Sequence, residues 1–280
     1  MTKKEPSEKM KKVDEKVALE PLEETKKMLE VEKKVEKAES VVEEVAAPEG
    51  RPRRMSREEM EKKKAAEALA AWVPKTRLGA EVRAGKIKNI GEIFDMGLRI
   101  LEPQIVDILL PQLKSDLLLI GQAKGKFGGG KGRFWRQTQR KTAEGNVPSF
   151  SCMIVIGDGN GHVGIGLGKA KETLPAKEKA LSAAKLSLIK VERGCGSFDC
   201  SCKEMHSIPA KVRGKVSSAV MELLPAPKGT GLAIENECKK IMKLAGIRDI
   251  YSRTFGQTRT KINLAMACYE ALKNTGEIRR

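Results

Sequence analysis

"SFSCMIVIGDGNGHVGIGLGKAKE", residues Ser149 to Glu172, joins a continuous apolar run to an alternating one across a glycine-rich turn. Cys152 to Ile156 reads as a buried strand, "GDGNG" as a hairpin turn, and Val163, Ile165 and Leu167 alternate with glycines on the returning strand. One face of that second strand is therefore almost bare backbone. The segment that follows, "LPAKEKALSAAKLSLIKVER", carries Pro175 in a first turn and sets Ala176, Ala180, Ala184 and Leu188 on one stripe, which predicts an amphipathic helix. Strand, strand, helix in this order is the core of a double-stranded-RNA-binding-like domain.

Upstream, "WVPKTRLGAEVRAGKI" from Trp72 reads as a basic, extended approach. In "IKNIGEIFDMGLRI" and "PQIVDILLP" the apolar residues recur at helical spacing, and Pro103 and Pro111 bracket the second short helix. Downstream, "HSIPAKVRGKVSSAVMELLPAP" predicts two strands. "AIENECKKIMKLAG" predicts a helix with Ile234, Cys238, Ile241 and Ala245 inward and Gly246 as its stop. "IRDIYSRTF" adds a strand, and "KINLAMACYEALKN" closes with a helix bearing Ile262, Met266, Tyr269 and Leu272. The chain is expected to be α+β, with two small domains behind a charged tail. The expected divisions are a tail over 1–71, an extension with short helices over 72–120, a first domain over 121–193, a cysteine-rich junction over 194–206 and a second domain over 207–280.

Composition narrows the function. Of 280 residues, 40% are apolar, 4% aromatic and 32% charged, and the formal net charge is +17. Residues 1 to 50 hold 11 Lys against 14 acidic residues, which leaves 43 basic and 23 acidic residues for the rest. Polyanions are the expected partners of so basic a folded part. Without aromatic residues before Trp72, the start of the chain cannot bury enough surface to offset its ordering entropy, so a disordered tail is expected, with transient helix around Met55 to Ala71. No run of 18 apolar residues occurs and the first residues lack a signal-peptide core, so no membrane partner is expected and a cytoplasmic location is. In a reducing cytosol, isolated cysteines read as packing residues and clustered ones as possible metal ligands.

"GQAKGKFGGGKGRFWRQTQRK", Gly121 to Lys141, contains Gly125, four residues, then Gly130 and Lys131, the skeleton of a phosphate-binding loop. That loop needs Ser or Thr after its Lys and a helix beyond, whereas Gly132 follows here and no helical apolar spacing comes after it. The alternative is a loop lying along RNA. Lys124, Lys126, Lys131, Arg133, Arg136, Arg140 and Lys141 run without an acidic interruption, and Phe127, Phe134 and Trp135 are available to stack on bases. In "LLPAPKGTGLAI", Lys228, Gly229, Thr230 and Gly231 precede a helix, where backbone N–H groups can hold an RNA phosphate, or simply form a glycine turn. "CGSFDCSCKEMHS" spaces Cys195, Cys200, Cys202 and His206 as three thiolates and an imidazole for tetrahedral zinc, although the Cys-x-Cys step is tighter than usual. No Ser, Cys or His is arranged for nucleophilic catalysis, so no catalytic residues are expected.

"GNVPSFSCMIVIGDGNGHVGIGLGKAKE" and "LLPAPKGTGL" together resemble the universal small-subunit ribosomal protein five family, bacterial S-five and eukaryotic S-two. The likeness is carried by Phe150, Gly157, Asp158, Gly161, Gly164 and Gly168 in the first stretch. In the second it is carried by Pro225, Ala226, Gly229, Thr230 and Gly231. It spans about Trp72 to Thr275, and the residues after Trp72 look like the archaeal and eukaryotic branch. Asn146 stands where the family often has a basic residue, and the first fifty residues have no counterpart in it. The resemblance implies a double-stranded-RNA-binding-like N-terminal domain and a second domain of the family's own type. It also implies a structural role in the small subunit: binding rRNA near the decoding region and the messenger RNA entry channel, contact with ribosomal proteins S-four and S-eight, and support of translational accuracy. The basic loop would then lie between the first two strands of the first domain and point into rRNA. Because the second-domain fold also occurs in small-molecule kinases, an enzyme is the competing class, and a free RNA-binding regulator is a third.

Overall fold

A computed structural model describes residue 67 and residues 69–122, 132–202 and 204–277. The charged tail expected over 1–71 lies almost wholly outside them, apart from Glu67, Leu69 and Ala70, which are helical, and Ala71. Residues 65–280 form one compact unit.

The elements run α1 (Arg77–Arg83), α2 (Ile90–Asp95), α3 (Pro103–Leu109), β1 (Lys114–Leu117), β2 (Gly121–Gln122), β3 (Gly132–Arg133), β4 (Arg136–Thr142), β5 (Gly145–Gly157), β6 (His162–Ala170), α4 (Thr173–Leu186) and β7 (Leu188–Lys190). The second half is β8 (Val212–Val216), β9 (Ala219–Pro225), β10 (Leu232–Ala233), α5 (Asn236–Ala245), β11 (Ile250–Gly256) and α6 (Lys261–Glu277). The first sheet has the order β1-β5-β6-β7, with β4 also pairing β5; the second has the order β10-β11-β9-β8; and β2 and β3 form a small ribbon of their own.

The hairpin of β5 and β6 organises the molecule. Its register sets Cys152 opposite Gly168, Ile154 opposite Gly166 and Ile156 opposite Gly164. α4 lies on this face with Ala176, Ala180 and Ala184 fully buried. A Cβ on Gly166 would stand 2.1 Å from the Ala180 carbonyl oxygen and 2.3 Å from the Ala184 nitrogen, so only glycine permits the helix to lie this close. α1, α2 and α3 complete the same core through Leu78, Val82, Ile90, Ile93, Ile105 and Val106.

The opposite face of β5 carries Met153 and Val155, and these belong to a core shared with Met221, Leu223, Ile241, Met242 and Leu264 of the second half. This second core therefore draws on both expected domains, while the core under α4 belongs to the first domain and the helical extension. Burial on both faces is why Cys152 to Ile156 is apolar without alternation. At the junction the hairpin turn meets the end of α5: the Gly159 N–H donates to the Leu244 carbonyl at 2.8 Å, and Gly246 ends α5 at φ 80° with its Cα facing the Gly159 carbonyl.

Three local expectations change. Arg77–Arg83 is helical rather than extended, because Thr76 caps it, accepting from the Gly79 N–H at 3.1 Å, and Leu78 and Val82 are buried one turn apart. Glu102 anchors that start, accepting from the Trp72 indole at 2.8 Å and from the Lys75 and Thr76 N–H groups at 3.0 and 2.7 Å. Leu188 does not continue the α4 stripe, since the helix stops at Leu186 and Leu188 opens β7. Arg136–Thr142, read as loop, is a strand, and β5 begins at Gly145, well before Cys152.

Candidate nucleic-acid interface and metal centre

β4 pairs with the first half of β5, from Arg136 opposite Ser151 to Thr142 opposite Gly145. β6 reaches β5 only from Phe150 onward, so residues 138–149 project as a two-stranded ribbon beyond the sheet, with Arg136 and Gln137 at its root. Arg136 through Lys141 are all exposed. Alternation along the strand places Arg136, Thr138 and Arg140 on one side of the ribbon, and Gln137, Gln139 and Lys141 on the other. β4 is polar on both faces, Val147 of β5 is 39% exposed, and a two-stranded ribbon that buries so little is marginal alone in water. Its exposed cations form no ion pair among the described residues.

At the root of the ribbon, β2 and β3 pair Gly121 with Arg133 and Gln122 with Gly132, which brings the two ends of the glycine-rich loop together. Lys124, Lys126, Phe127 and Lys131 fall outside the described residues. The loop lies between β2 and β3, the first two strands within the expected 121–193 domain, and it runs into a strand rather than a helix, so the helix N-terminus a nucleotide-binding loop requires does not follow it. A cavity of about 780 Å³ opens beside this root, lined by Gln122, Arg136, Thr138, Arg259, Thr260 and Lys261. Arg259 and Lys261 were missed in sequence. They sit in "GQTRTK" between β11 and α6, far along the chain from the loop, and only the fold brings them to it.

The two aromatics of β3–β4 divide in role. Trp135 is half-buried and packs against the core formed by the helical extension, β5 and α4. Phe134 is 42% exposed, with the Lys240 ammonium 5.6 Å from its ring centroid.

Lys228, Gly229 and Thr230 do not form an open anion cradle. The Gly229 and Gly231 N–H groups both donate to Asp249 Oδ1, at 3.1 and 2.8 Å, so the expected phosphate position is filled from within by a carboxylate. Thr230 bonds back to the Pro227 carbonyl, and Lys228 Nζ lies 2.6 Å from Glu204 Oε1. β10 also intervenes before α5.

Asp249 joins this loop to the cysteines, its Oδ2 lying 2.9 Å from His206 Nδ1. Gly194 and Ser207 close the intervening segment by a pair of 2.9 Å backbone bonds. Within it the ligand atoms of Cys195, Cys200, Cys202 and His206 all lie within 4.8 Å of one another. Tetrahedral zinc with bonds of about 2.3 Å to sulfur and 2.0 Å to nitrogen needs neighbouring donors about 3.6–3.8 Å apart. Cys195 and Cys202 Sγ are 3.8 Å apart and Cys200 Sγ is 3.7 Å from His206 Nε2, which fit, while Cys200 and Cys202 Sγ, at 3.0 Å, are closer than a bound ion would leave them. His206 has the second-layer partner expected of a ligand, since a carboxylate on Nδ1 directs Nε2 toward the thiols. The thiol of Cys202 and backbone N–H groups of Lys228 and Cys202 bring Cys200 down to about 6, whereas desolvation and its two neighbouring thiols push Cys195 up to about 11. The lowered Cys200 favours its thiolate, the form that ligates a metal, and a bound cation would displace the remaining thiol protons. Cys152, Cys238 and Cys268 are buried packing residues.

Residues 135–192 match the family described as ribosomal protein S5, N-terminal domain, and residues 214–280 match ribosomal protein S5, C-terminal domain. The cysteine segment falls between the two stretches. The chain is 48% identical over 211 residues to small ribosomal subunit protein uS5 of Nanoarchaeum equitans, covering 75% of this chain and 90% of that protein. It is 46% identical to the uS5 of Pyrobaculum aerophilum, covering 74% of this chain and 88% of that one, and 45% identical to the uS5 of Methanocaldococcus jannaschii, covering 72% and 87%. Identity at this level over most of the chain, together with the match to both family domains, makes the chain a member of the uS5 family of small ribosomal subunit proteins, of the archaeal type.

Proposed function

We propose that this structural, non-enzymatic constituent of the small ribosomal subunit grips rRNA with the β4–β5 ribbon and the glycine-rich loop at its root. The observation that carries the proposal is the ribbon itself, a strand pair exposed on both faces with Arg136, Arg140 and Lys141 free of ion pairs among the described residues. Lys124, Lys126, Lys131 and Arg133 extend the same basic track through the loop, and Arg259 and Lys261 add to it from the second half. Such contacts hold phosphates and set position rather than read sequence. By family resemblance the track faces the decoding region and messenger entry channel of the cytoplasmic ribosome, with S-four and S-eight as neighbours, and supports translational accuracy. Lys228, Gly229 and Thr230 contribute to folding rather than to this track.

A photo-cross-linking residue at Gln139, midway along the ribbon, tests the assignment in purified subunits. The expected product is chain joined to small-subunit rRNA, and cross-links to protein alone would refute it. The domain limits expected from sequence serve as a division of labour in this reading, with the helical extension bracing the first domain and residues 194–206 tying it to the second.

The tie is proposed to be zinc, held by Cys195, Cys200, Cys202 and His206, with Asp249 orienting the imidazole. When bound, the ion supplies a cross-link and no chemistry. About one equivalent is expected by elemental analysis of washed protein, and Cys200→Ser is expected to lose it. A metal-free wild type would leave the cluster a packing element.

A further inference from the structure

We propose that the open face of the second sheet, centred on Tyr251, Arg253 and Phe255, is a platform for unpaired RNA bases, separate from the ribbon. One face of this sheet is closed. Val212, Met221, Leu223 and Ile250 are buried there, and a Cβ on Gly214 would come within 2.2 Å of the Ala267 carbonyl oxygen of α6. Alternation sends the neighbouring residues to the other side, where no described helix covers them.

The register shows what that side presents. Arg213, Glu222 and Arg253 form one row across β8, β9 and β11, and Lys215, Val220 and Phe255 form the next. Tyr251 stands opposite Leu224 in the row beyond Arg213. Lys211, Arg213, Lys215, Tyr251, Arg253 and Phe255 are all exposed. A solvent face of an antiparallel sheet is ordinarily polar, yet here two rings remain 42% and 49% exposed. Tyr251 and Phe255 point the same way with Arg253 between them, about 13 Å apart at the usual strand rise.

Charge selects the occupant. Four cations surround a single carboxylate, Glu222, which Lys211 holds at 2.9 Å and Arg213 at 3.9 Å. A surface this positive suits a polyanion, and rings flanking an arginine suit bases whose faces are free. A duplex keeps its base faces stacked inside, so the matching ligand is single-stranded. The proposal rests on the RNA-binding reading of the chain but assigns it a second surface with a different physical contact.

The experiment uses the full chain, with an unpaired oligouridine of about ten nucleotides and an RNA hairpin duplex as probes. Tyr251→Ala with Phe255→Ala is expected to weaken oligouridine binding at least about tenfold at an unchanged salt slope, and to leave the duplex unaffected. Tyr251→Phe should bind as wild type, since stacking needs the ring and not the hydroxyl. Tyr251→Leu with Phe255→Leu keeps apolar cover over Val220 and should lose binding as the alanine pair does, which guards against a folding defect. Wild-type oligouridine affinity in the leucine pair overturns the proposal. If that pair also fails to enter small subunits while keeping RNA affinity, the face docks a protein instead. Replacing Arg136, Arg140 and Lys141 addresses the ribbon alone, so loss of duplex binding there beside normal binding in the ring variants would retain the ribbon and reject the platform.

Discussion

Replacing Arg136, Arg140 and Lys141 together by alanine removes the charge of the ribbon and little else. All three side chains are exposed, and the β4–β5 pairing runs through backbone groups that alanine retains. Each exposed substitution should change stability by no more than about 0.5 kcal/mol. Each phosphate contact contributes about 0.7–0.9 to the slope of log affinity against log salt, so three contacts contribute roughly 2–3. Between 50 and 200 mM salt, the wild type should therefore lose roughly 20- to 40-fold more affinity than the variant. Filter binding of a small-subunit rRNA fragment across a salt series measures the slope, and far-ultraviolet circular dichroism of the same samples checks the fold. A folded variant with the wild-type slope would show that the ribbon faces solvent or protein in the ribosome, and the reasoning from its exposed cations would fail.

Trp135→Ala should lower the melting temperature while leaving the affinity of the folded fraction intact, because its ring packs against the core shared by the helical extension, β5 and α4. Phe134→Ala should leave the melting temperature nearly unchanged. Gly166→Ala drives a methyl into the backbone of α4, so a loss of about 1–3 kcal/mol is expected, a fall of several degrees in thermal melting. Burial raises the Glu102 carboxyl, but hydrogen bonds from Thr76, Lys75 and Trp72 outweigh it and hold the group below its ordinary 4.5. A depressed carboxylate stabilises the fold above its unfolded value and loses that contribution as pH falls through the folded value. Hydrogen-exchange protection in α1, taken relative to the intrinsic rate at each pH, should accordingly fall below about pH 4.5, and in Glu102→Gln should be low already at pH 7.

The hairpin and α4 were legible because their signals are local. A glycine on alternate positions and an alanine at every fourth describe two surfaces that fit each other, whatever surrounds them. The same local rule misplaced Leu188, whose spacing continues the stripe although the chain has already turned at Ser187, where the Tyr269 hydroxyl donates to the Ser187 carbonyl and the Ser187 hydroxyl to that of Ile165. α1 was missed because it is short and basic, and its start is fixed by a carboxylate 26 residues along the chain from Thr76. β4 has no apolar face to read. "RQTQRKT" becomes a strand only through pairing with residues 145–151, so its signal lies in the partner and not in itself.

The site divides by the same criterion. Its cations could be counted in sequence, and the cysteine run could be spaced, but the residue that links the cysteines to the glycine loop carries no mark at all. Asp249 sits in "IRDIYSRTF" like any acid before a strand, yet it is 4% exposed and binds His206 and two glycine amides. Positive φ angles of 91° at Gly229 and 75° at Gly231 turn both N–H groups onto one oxygen. That geometry equally describes a nest for an external phosphate, so the glycines alone cannot distinguish an outer anion from an inner one. Burial decides it: a carboxylate removed from water needs donors, and these amides with the imidazole provide them. The glycine loop that marks the family and the thiols between its two matched stretches are, through Asp249, parts of a single polar network.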